Sequence, residues 1–297
     1  MEQSPRPVLS VNSQSVSIPR STIAQTAEIH GRGIHSGAEV KLSILPAPAN
    51  TGIVFRRVDL PSQPGVSVCY DNLAADELDR RTTLRSGACS VHTVEHLLSA
   101  LCALGIHDAV IEMNAPEPPG LDGSGLGYVQ AIEAAGVRPH GADEIIQPLI
   151  IDRAIAFQLD GSEICAIPAP DFRVTFFYTS EEPLLRTQTQ SFAITPQHYK
   201  AEIAPARTFC FFREIEALQK ANLIKGGSLA CAVVIGRKSI LNTDLRYRDE
   251  PVRHKILDFI GDMALLGVPL QGHFLAWRAG HRINAAFGQH LKKEYNL

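Results

Sequence analysis

The sequence predicts an α+β fold built from two similar halves. Three observations support this prediction: strand-like segments open each half, helices with apolar periodicity close each half, and two short segments recur in the same order. A chain of 297 residues can bury a large core, and its length suits two domains of ordinary size. We expect a flexible N-terminal tail at residues 1–19, a first α+β domain at 20–145 and a second α+β domain at 146–297.

The first half begins with alternating apolar residues on either side of a glycine-containing turn, which predicts an antiparallel hairpin at residues 22–46. TVEHLLSALCALG, at residues 93–105, repeats apolar residues at helical spacing and predicts a helix that stops at Gly105. AVIEM then predicts a strand. After a loop rich in proline and glycine, GYVQAIEAAGV predicts the helix that closes this half.

The second half opens with PLIIDRAIAFQLDGSEICAIPAP, which predicts strands that turn at Asp160-Gly161. A long helix is predicted at residues 250–266, a strand at HFLAWR and a final helix at INAAFGQHLKKEY. Both halves therefore run from strands through a helix and a strand to a last helix.

Two anchors support a duplication. LPAP at residues 45–48 matches IPAP at 167–170, and Leu104-Gly105 matches Leu266-Gly267, although matches this short also arise by chance. The two spacings, 122 and 162 residues, differ by 40 residues, so we expect an insertion in the second half between its strands and its long helix, in the interval that contains FCFFREIEALQKANLIKGG. In the helix match, His96 of the first half corresponds to Asp258 of the second half. The two halves would then each present a polar side chain from the same place on the same helix, and a site could lie between them.

Composition excludes several classes of function. A net charge of -3 and a pI near 6.4 provide no basic surface for a phosphate backbone, which argues against nucleic acid as a partner. No apolar run approaches the roughly 20 residues that span a bilayer, and no basic segment followed by an apolar core marks secretion. The six cysteines include no C-x-x-C pair, as expected for reduced thiols in a cytoplasmic protein.

A polar stripe runs along the predicted helix at residues 250–266. Because successive helical residues are rotated by about 100°, His254, Asp258 and Asp262 share one face, and Lys255 lies beside them. The other faces are apolar, so the helix is expected to be buried. One interpretation is a solvated face. The other is a pair of metal ligands, since side chains at i and i+4 converge on one ion, and imidazole with carboxylate suits Zn²⁺.

Other polar residues could complete a catalytic site. A catalytic zinc needs a third ligand, and His96 is a candidate, although a lone histidine on an apolar helix is more often a core residue. The adjacent Glu95 stands where a general base would be placed. His281 follows a predicted strand and is either aimed into a site or a surface turn residue. Thr208 in ARTF and His35 in GIHSG are weak candidates on their own.

Taken together, these motifs resemble the UDP-3-O-acyl-N-acetylglucosamine deacetylase family, zinc amidases of lipid A biosynthesis. The resemblance covers nearly all of the chain after about residue 20. It implies two β-α-α-β domains that form a layered sandwich, with helices packed between sheets and the active site at the domain junction. At Arg81 the chain departs from many relatives, which have a small residue there. The resemblance rests on GRGIHSG, RTTL, TVEHLLSAL, NAPEPPGLDGSG, ARTF, LRYRDEPVRHKILDFIGDMALLG and RAGHRIN.

The resemblance also implies residue roles. The implied metal ligands are His96, His254 and Asp258. Glu95 is implied as the general base, and Thr208 as a group that stabilises the oxyanion. His281, with Asp262 beside it, is implied to stabilise charge or to protonate the leaving amine. Zn²⁺ is therefore the expected cofactor, and the same ligand set also tolerates Fe²⁺.

The implied reaction is hydrolysis of the acetamide of UDP-3-O-[(3R)-3-hydroxyacyl]-N-acetylglucosamine by a cytoplasmic, monomeric enzyme. Lys255, His35 and Phe209 are implied to contact the substrate. The insertion in the second half is implied to be a β-α-β insert around residues 205–230 that forms a hydrophobic passage for the acyl chain. Two alternatives stay open. A deacetylase for another N-acetylated sugar is disfavoured by the apolar insert, and a non-catalytic protein that sequesters an acyl-sugar nucleotide is disfavoured by the presence of every ligand candidate and Glu95.

Overall fold

The computed structural model describes residues 17–182, 184–220, 223–226 and 231–297. Its sheets and helices confirm the predicted α+β class. Of the flexible tail predicted at residues 1–19, residues 1–16 lie outside the described residues. Ile18–Pro19, which follow, pair with Ile145–Ile146.

The first half contains two α-helices, two 3₁₀ helices and eleven strands within the described residues. The strands are β1 (Ile18–Pro19), β2 (Ser21–Ile23), β3 (Ala27–Arg32), β4 (Glu39–Pro46), β5 (Ile53–Arg57), β6 (Gly65–Ser67), β7 (Thr83–Ser86), β8 (Cys89–His92), β9 (Ala109–Met113), β10 (Val137–Pro139) and β11 (Ile145–Ile146). The α-helices are α1 (Glu95–Ala103) and α2 (Leu126–Ala135).

The second half follows the same plan with additions before its long helix. Its strands are β12 (Leu149–Ile150), β13 (Ile155–Leu159), β14 (Ser162–Ile167), β15 (Phe172–Tyr178), β16 (Gln188–Ala193), β17 (Phe209–Phe211), β18 (Val233–Ile235) and β19 (Leu270–Trp277). Its helices are α3 (Pro196–His198), α4 (Ile215–Lys220), α5 (Glu250–Met263) and α6 (His281–Glu294).

The two large sheets have the same topology. Their strand orders are β3-β4-β9-β5-β6 and β13-β14-β19-β15-β16. In each sheet the central strand, β9 or β19, is antiparallel to one neighbour and parallel to the other, and the outer pairs are antiparallel. Strand β12 adds a parallel partner to β19. The chain therefore builds the same sheet twice.

The sequence anchors occupy equivalent places in the two halves. Leu45 of LPAP pairs with Val110 on β9, and Ile167 of IPAP pairs with His273 on β19. The glycines after α1 and α5, Gly105 and Gly267, have φ angles of 70° and 71°, in the left-handed region that glycine adopts without strain. The repeat is thus structural. The domain boundary near residue 145 stays a prediction.

Most predicted elements are present, with shifted ends. The turn of the β13–β14 hairpin is Asp160-Gly161, and both residues have positive φ, as a two-residue type I′ turn requires. Strand β19 begins at Leu270, before the predicted start. Helix α6 begins at His281, so this histidine is a first helical residue and not the end of a strand.

Helices α1 and α5 pack against each other at the centre of the molecule. At their crossing a Cβ atom on Gly261 would lie 2.1 Å from the carbonyl oxygen of Glu95, so only glycine permits this approach. Helix α2 packs on β3, whereas α5 packs on β15 and β16 and α6 on β13 and β14. The helices therefore lie between the sheets, and the polar stripe of α5 is buried.

The insert consists of β17, α4 and β18, and its two strands pair in parallel, with Phe209 opposite Val233. Strand β18 lies beyond the predicted limit of residue 230. The parts of the insert at 221–222 and 227–230 lie outside the described residues. In the described part of the chain, no helix is both long and apolar enough to cross a membrane.

Candidate active site

Three buried side chains form a candidate metal site between α1 and α5. His96 comes from α1, and His254 and Asp258 come from α5, one turn apart. Their nearest ligand atoms all lie within 4.8 Å of one another. The Oδ1 atom of Asp258 is 3.3 Å from Nε2 of His254 and 3.7 Å from Nε2 of His96. The duplicated helices thus bring His96 and Asp258 together.

The protonation of these groups suits a cation. Burial and the neighbouring His254 lower the pKa of His96 to about 3, and burial lowers the pKa of His254. Both imidazoles are therefore neutral near pH 7 and retain a lone pair. Burial acts to raise the pKa of Asp258, but Lys255 and His254 outweigh it and hold that pKa well below its ordinary range. Two neutral imidazoles and one carboxylate are a donor set that suits Zn²⁺ or Fe²⁺.

A backbone carbonyl orients His254. The ring Nδ1 lies 3.0 Å from the carbonyl oxygen of Ala206. Because a carbonyl oxygen only accepts, Nδ1 carries the proton, and the lone pair of Nε2 faces the other two ligands.

Glu95 is the first residue of α1, and its side chain is buried beside this group. Its Oε2 accepts a hydrogen bond from the backbone N–H of Thr82 at 3.1 Å. Burial, helped by Asp262 and Asp258 and opposed by His281, raises the pKa of Glu95 to about 7. A carboxyl group with this pKa can take up and release a proton at neutral pH.

The Asp262 carboxylate holds the His281 ring near Glu95. The Nδ1 of His281 donates to Oδ2 of Asp262 at 2.9 Å, and Asn284 donates to the same oxygen at 2.8 Å. Thr82 donates its hydroxyl to Oδ1 of Asp262 at 2.5 Å. Burial acts to lower the pKa of His281, but Asp262 outweighs it and raises the pKa to about 9. The imidazolium is therefore the expected form at neutral pH, with Nε2 3.9 Å from Oε1 of Glu95.

Two cavities meet at the site. One, of about 280 Å³, extends into the insert, and the other, of about 460 Å³, opens beside α6. Arg80 and Phe209 line both cavities, so the cavities adjoin at these side chains. The first cavity is lined by Ile34, His35, Arg80, Thr93, Glu95, His96, Thr208, Phe209, Cys210, Ile215, Leu218, Gln219, Ile224, Cys231, Ala232 and Val234.

The remaining predicted site residues line these cavities. Lys255 donates to Oδ2 of Asp258 at 2.9 Å, and its Nζ lies 5.8 Å from the centre of the Phe209 ring. Thr208 lies in the first cavity, and its backbone N–H donates to the carbonyl of Gly123 at 2.8 Å. His35, in the loop between β3 and β4, lines the same cavity. The structure thus brings all ten predicted residues into one region, while their roles stay predictions.

Three residues in the network were missed by the sequence reasoning. Thr82 belongs to the RTTL motif, but nothing in the sequence indicated that it would bridge Glu95 and Asp262. Asn284 lies one turn after Gly280 on α6 and contacts Asp262. Glu250 could have been found, because it lies one helical turn before His254 and extends the stripe at the same four-residue spacing.

Comparison with known proteins shows the family of this chain. Residues 20–293 match the family model described as UDP-3-O-acyl N-acetylglycosamine deacetylase. The chain is 40% identical over 276 residues to the UDP-3-O-acyl-N-acetylglucosamine deacetylase of Synechocystis sp., an alignment that covers 92% of this chain and 99% of the relative. It is 41% identical over 267 residues to the deacetylase of that name from Anaeromyxobacter sp., covering 89% and 86% of the two chains. This chain therefore belongs to the UDP-3-O-acyl N-acetylglycosamine deacetylase family.

Proposed function

We propose that the protein hydrolyses the acetamide of UDP-3-O-[(3R)-3-hydroxyacyl]-N-acetylglucosamine, releasing acetate and UDP-3-O-acyl-glucosamine for lipid A biosynthesis. The observation that carries the proposal is the buried group of His96, His254 and Asp258 with Glu95 beside it. The names of the relatives support the substrate. The cytoplasm is the proposed location, in keeping with six cysteines that form no disulfide within the described residues.

The proposed metal is Zn²⁺, with Fe²⁺ as the second candidate, held by His96, His254 and Asp258. Bound there, Zn²⁺ would polarise a water molecule and the acetamide carbonyl. Glu95 would accept the proton of the attacking water, a task for which a pKa of about 7 is well matched. Thr208 would donate its hydroxyl to the oxyanion that forms as the water adds to the carbonyl.

The amide nitrogen leaves only if it is protonated as the C–N bond breaks. His281 would supply that proton or stabilise the charge, because its pKa of about 9 keeps it protonated at neutral pH. Asp262 would fix the ring through Nδ1 and leave the Nε2 proton directed towards Glu95 and the substrate. A base and an acid with separated pKa values then face each other across the scissile bond.

The two cavities suggest how the substrate is recognised. The first cavity is largely apolar in the insert, where Ile215, Leu218 and Val234 would line the acyl chain. Burial of such a chain contributes roughly 0.8 kcal/mol per CH₂ group. The second cavity contains Lys255 and Arg282, cations that suit a diphosphate.

The test is acetate release from UDP-3-O-(3-hydroxyacyl)-GlcNAc, followed by mass spectrometry, with UDP-GlcNAc as the matched substrate that lacks the acyl chain. Rapid release from the acylated substrate and slow release from UDP-GlcNAc are expected, because only the former fills the apolar cavity. Equal rates would contradict the role of the cavity. Binding of the acylated substrate without any acetate release would favour a protein that sequesters the sugar nucleotide.

A further inference from the structure

Glu250, the first residue of α5, is fully buried and accepts four hydrogen bonds from N–H groups. Its Oε1 accepts from the backbone N–H and from Nε of Arg207, at 2.9 Å and 2.8 Å. Its Oε2 accepts from Nη2 of Arg207 at 3.1 Å and from the backbone N–H of Arg246 at 2.7 Å. The proposed mechanism gives this carboxylate no task.

The peptide unit between Ala206 and Arg207 connects Glu250 to the candidate metal site. Its N–H donates to Glu250, and its carbonyl accepts from Nδ1 of His254. A trans peptide is planar, and its N–H and C=O point in opposite directions, so the bond that holds one end also sets the direction of the other. Glu250 and His254 are one turn apart on the same face of α5, and a single rigid peptide spans the gap between them.

The Arg207 side chain reinforces this arrangement. Besides its two bonds to Glu250, it donates to the hydroxyl of Thr243 at 3.1 Å and to the carbonyl of Asp244 at 2.7 Å. The segment that carries Ala206 is therefore fixed both through its backbone and through the side chain next to it.

We propose that Glu250 is a positioning residue for the metal site, which acts through the Ala206–Arg207 peptide to hold the His254 ring in its ligating orientation. This inference rests on the proposed role of His254 as a metal ligand. The competing explanation is that Glu250 only stabilises the fold, as a carboxylate at a helix N-terminus that neutralises Arg207.

Two variants of the full chain separate these explanations. Glu250→Asp keeps the charge but withdraws the carboxylate by one CH₂ group from the N–H of Arg207. Glu250→Gln loses the charge but keeps an oxygen at the original distance for that N–H, while its NH₂ group faces the other N–H donors. Glu202→Gln is the control, since Glu202, like Glu250, pairs with an arginine, here Arg253 of α5, but its side chain forms no hydrogen bond with the 206–207 peptide among the described residues.

The readouts are Zn²⁺ affinity, measured by competition with a chelator, and the absorption spectrum of the Co²⁺-loaded protein, which reports ligand geometry. Glu250→Asp is expected to weaken Zn²⁺ binding by about tenfold and to alter the spectrum, as loss of a group that orients a ligand does. Glu250→Gln is expected to lose less affinity than Glu250→Asp, and the Glu202→Gln control none.

The reverse order, in which Glu250→Gln binds Zn²⁺ more weakly than Glu250→Asp does, would overturn the inference. It would show that the charge of residue 250 matters and the peptide contact does not. Wild-type affinity and spectrum in both variants would also overturn it. If Glu250→Asp does not fold, Glu250→Gln decides: a loss of Zn²⁺ affinity smaller than tenfold together with an altered Co²⁺ spectrum supports the inference, whereas wild-type affinity and spectrum, or a tenfold loss, contradicts it. Failure of the wild-type protein to bind Zn²⁺ or Co²⁺ would refute the proposed metal site itself.

Discussion

Replacing Asp262 with asparagine is expected to move the basic limb of the pH-rate profile towards lower pH. Asp262 raises the pKa of His281 to about 9 against a burial effect of opposite sign. Without the carboxylate charge, the pKa should fall to about 6.5, the ordinary value, because the lowering by burial is then opposed only by the smaller raising effects of Glu95 and Asp258. At pH 7.5 the protonated fraction of His281 would then fall from about 97% to about 9%, roughly a tenfold loss.

The assay is kcat/KM for the acylated substrate between pH 5.5 and 10, using Zn²⁺-loaded wild-type and Asp262→Asn proteins, with an NMR titration of the His281 ring. The basic limb of the variant should lie about 2.5 pH units lower, the difference between a pKa of about 9 and the ordinary value of 6.5. A lowered rate with an unmoved basic limb would refute the reasoning, because Asp262 would then act through geometry and not through the charge of His281.

The same ion pair should affect stability. The folded pKa of His281 exceeds its unfolded value of 6.5, so the contribution of this ion pair is fully present below pH 6.5 and is lost as the pH rises through about 9. Urea unfolding of the metal-free protein should show this decrease between pH 6.5 and 9. The decrease should be absent in Asp262→Asn, and its persistence there would assign it to another group.

Further changes have equally specific outcomes. Elemental analysis should find no bound Zn²⁺ in His254→Ala, because this change removes one of three ligands. Glu95→Gln should retain Zn²⁺, but its turnover should fall by about 10²- to 10⁴-fold. Gly261→Ala should lower the free energy of unfolding by at least 1–3 kcal/mol, roughly the cost of overpacking, since its Cβ atom would meet the Glu95 carbonyl at 2.1 Å. The control Gly141→Ala, with open space around it, should unfold like wild type in urea. Ala232→Phe should narrow the first cavity and raise KM more for long acyl chains than for short ones, and equal changes would argue against an acyl passage.

Much of the fold could be predicted because the local signals agree with the tertiary structure. Helical periodicity located α1 and α5, and the Asp160-Gly161 dipeptide located a turn that requires positive φ at both positions. The repeat was detectable because one anchor lies where the duplicated strands pair and the other contains the glycine that follows each duplicated helix. The observed starts of β19 and α6 differ from the predicted starts, because sheet pairing and helix packing determine where these elements begin and periodicity does not.

The site was predictable to the extent that its residues share one helix or one motif. Spacing of four residues revealed the stripe on α5, but no local pattern indicates that Thr82 reaches both Glu95 and Asp262. The contact between the Arg207 peptide and Glu250 joins residues far apart in the sequence. Such hydrogen bonds depend on how loops pack against α5, which a sequence without tertiary contacts does not specify.

The most direct test of the central claim combines metal content with acetate release. The purified protein is assayed with UDP-3-O-(3-hydroxyacyl)-GlcNAc as isolated, after removal of metal by a chelator, and after stepwise return of Zn²⁺ or Fe²⁺. Acetate release should vanish on chelation and return in proportion to bound metal, reaching its maximum at one ion per chain. Full activity in protein shown by elemental analysis to be metal-free would contradict a metal-dependent hydrolase at His96, His254 and Asp258.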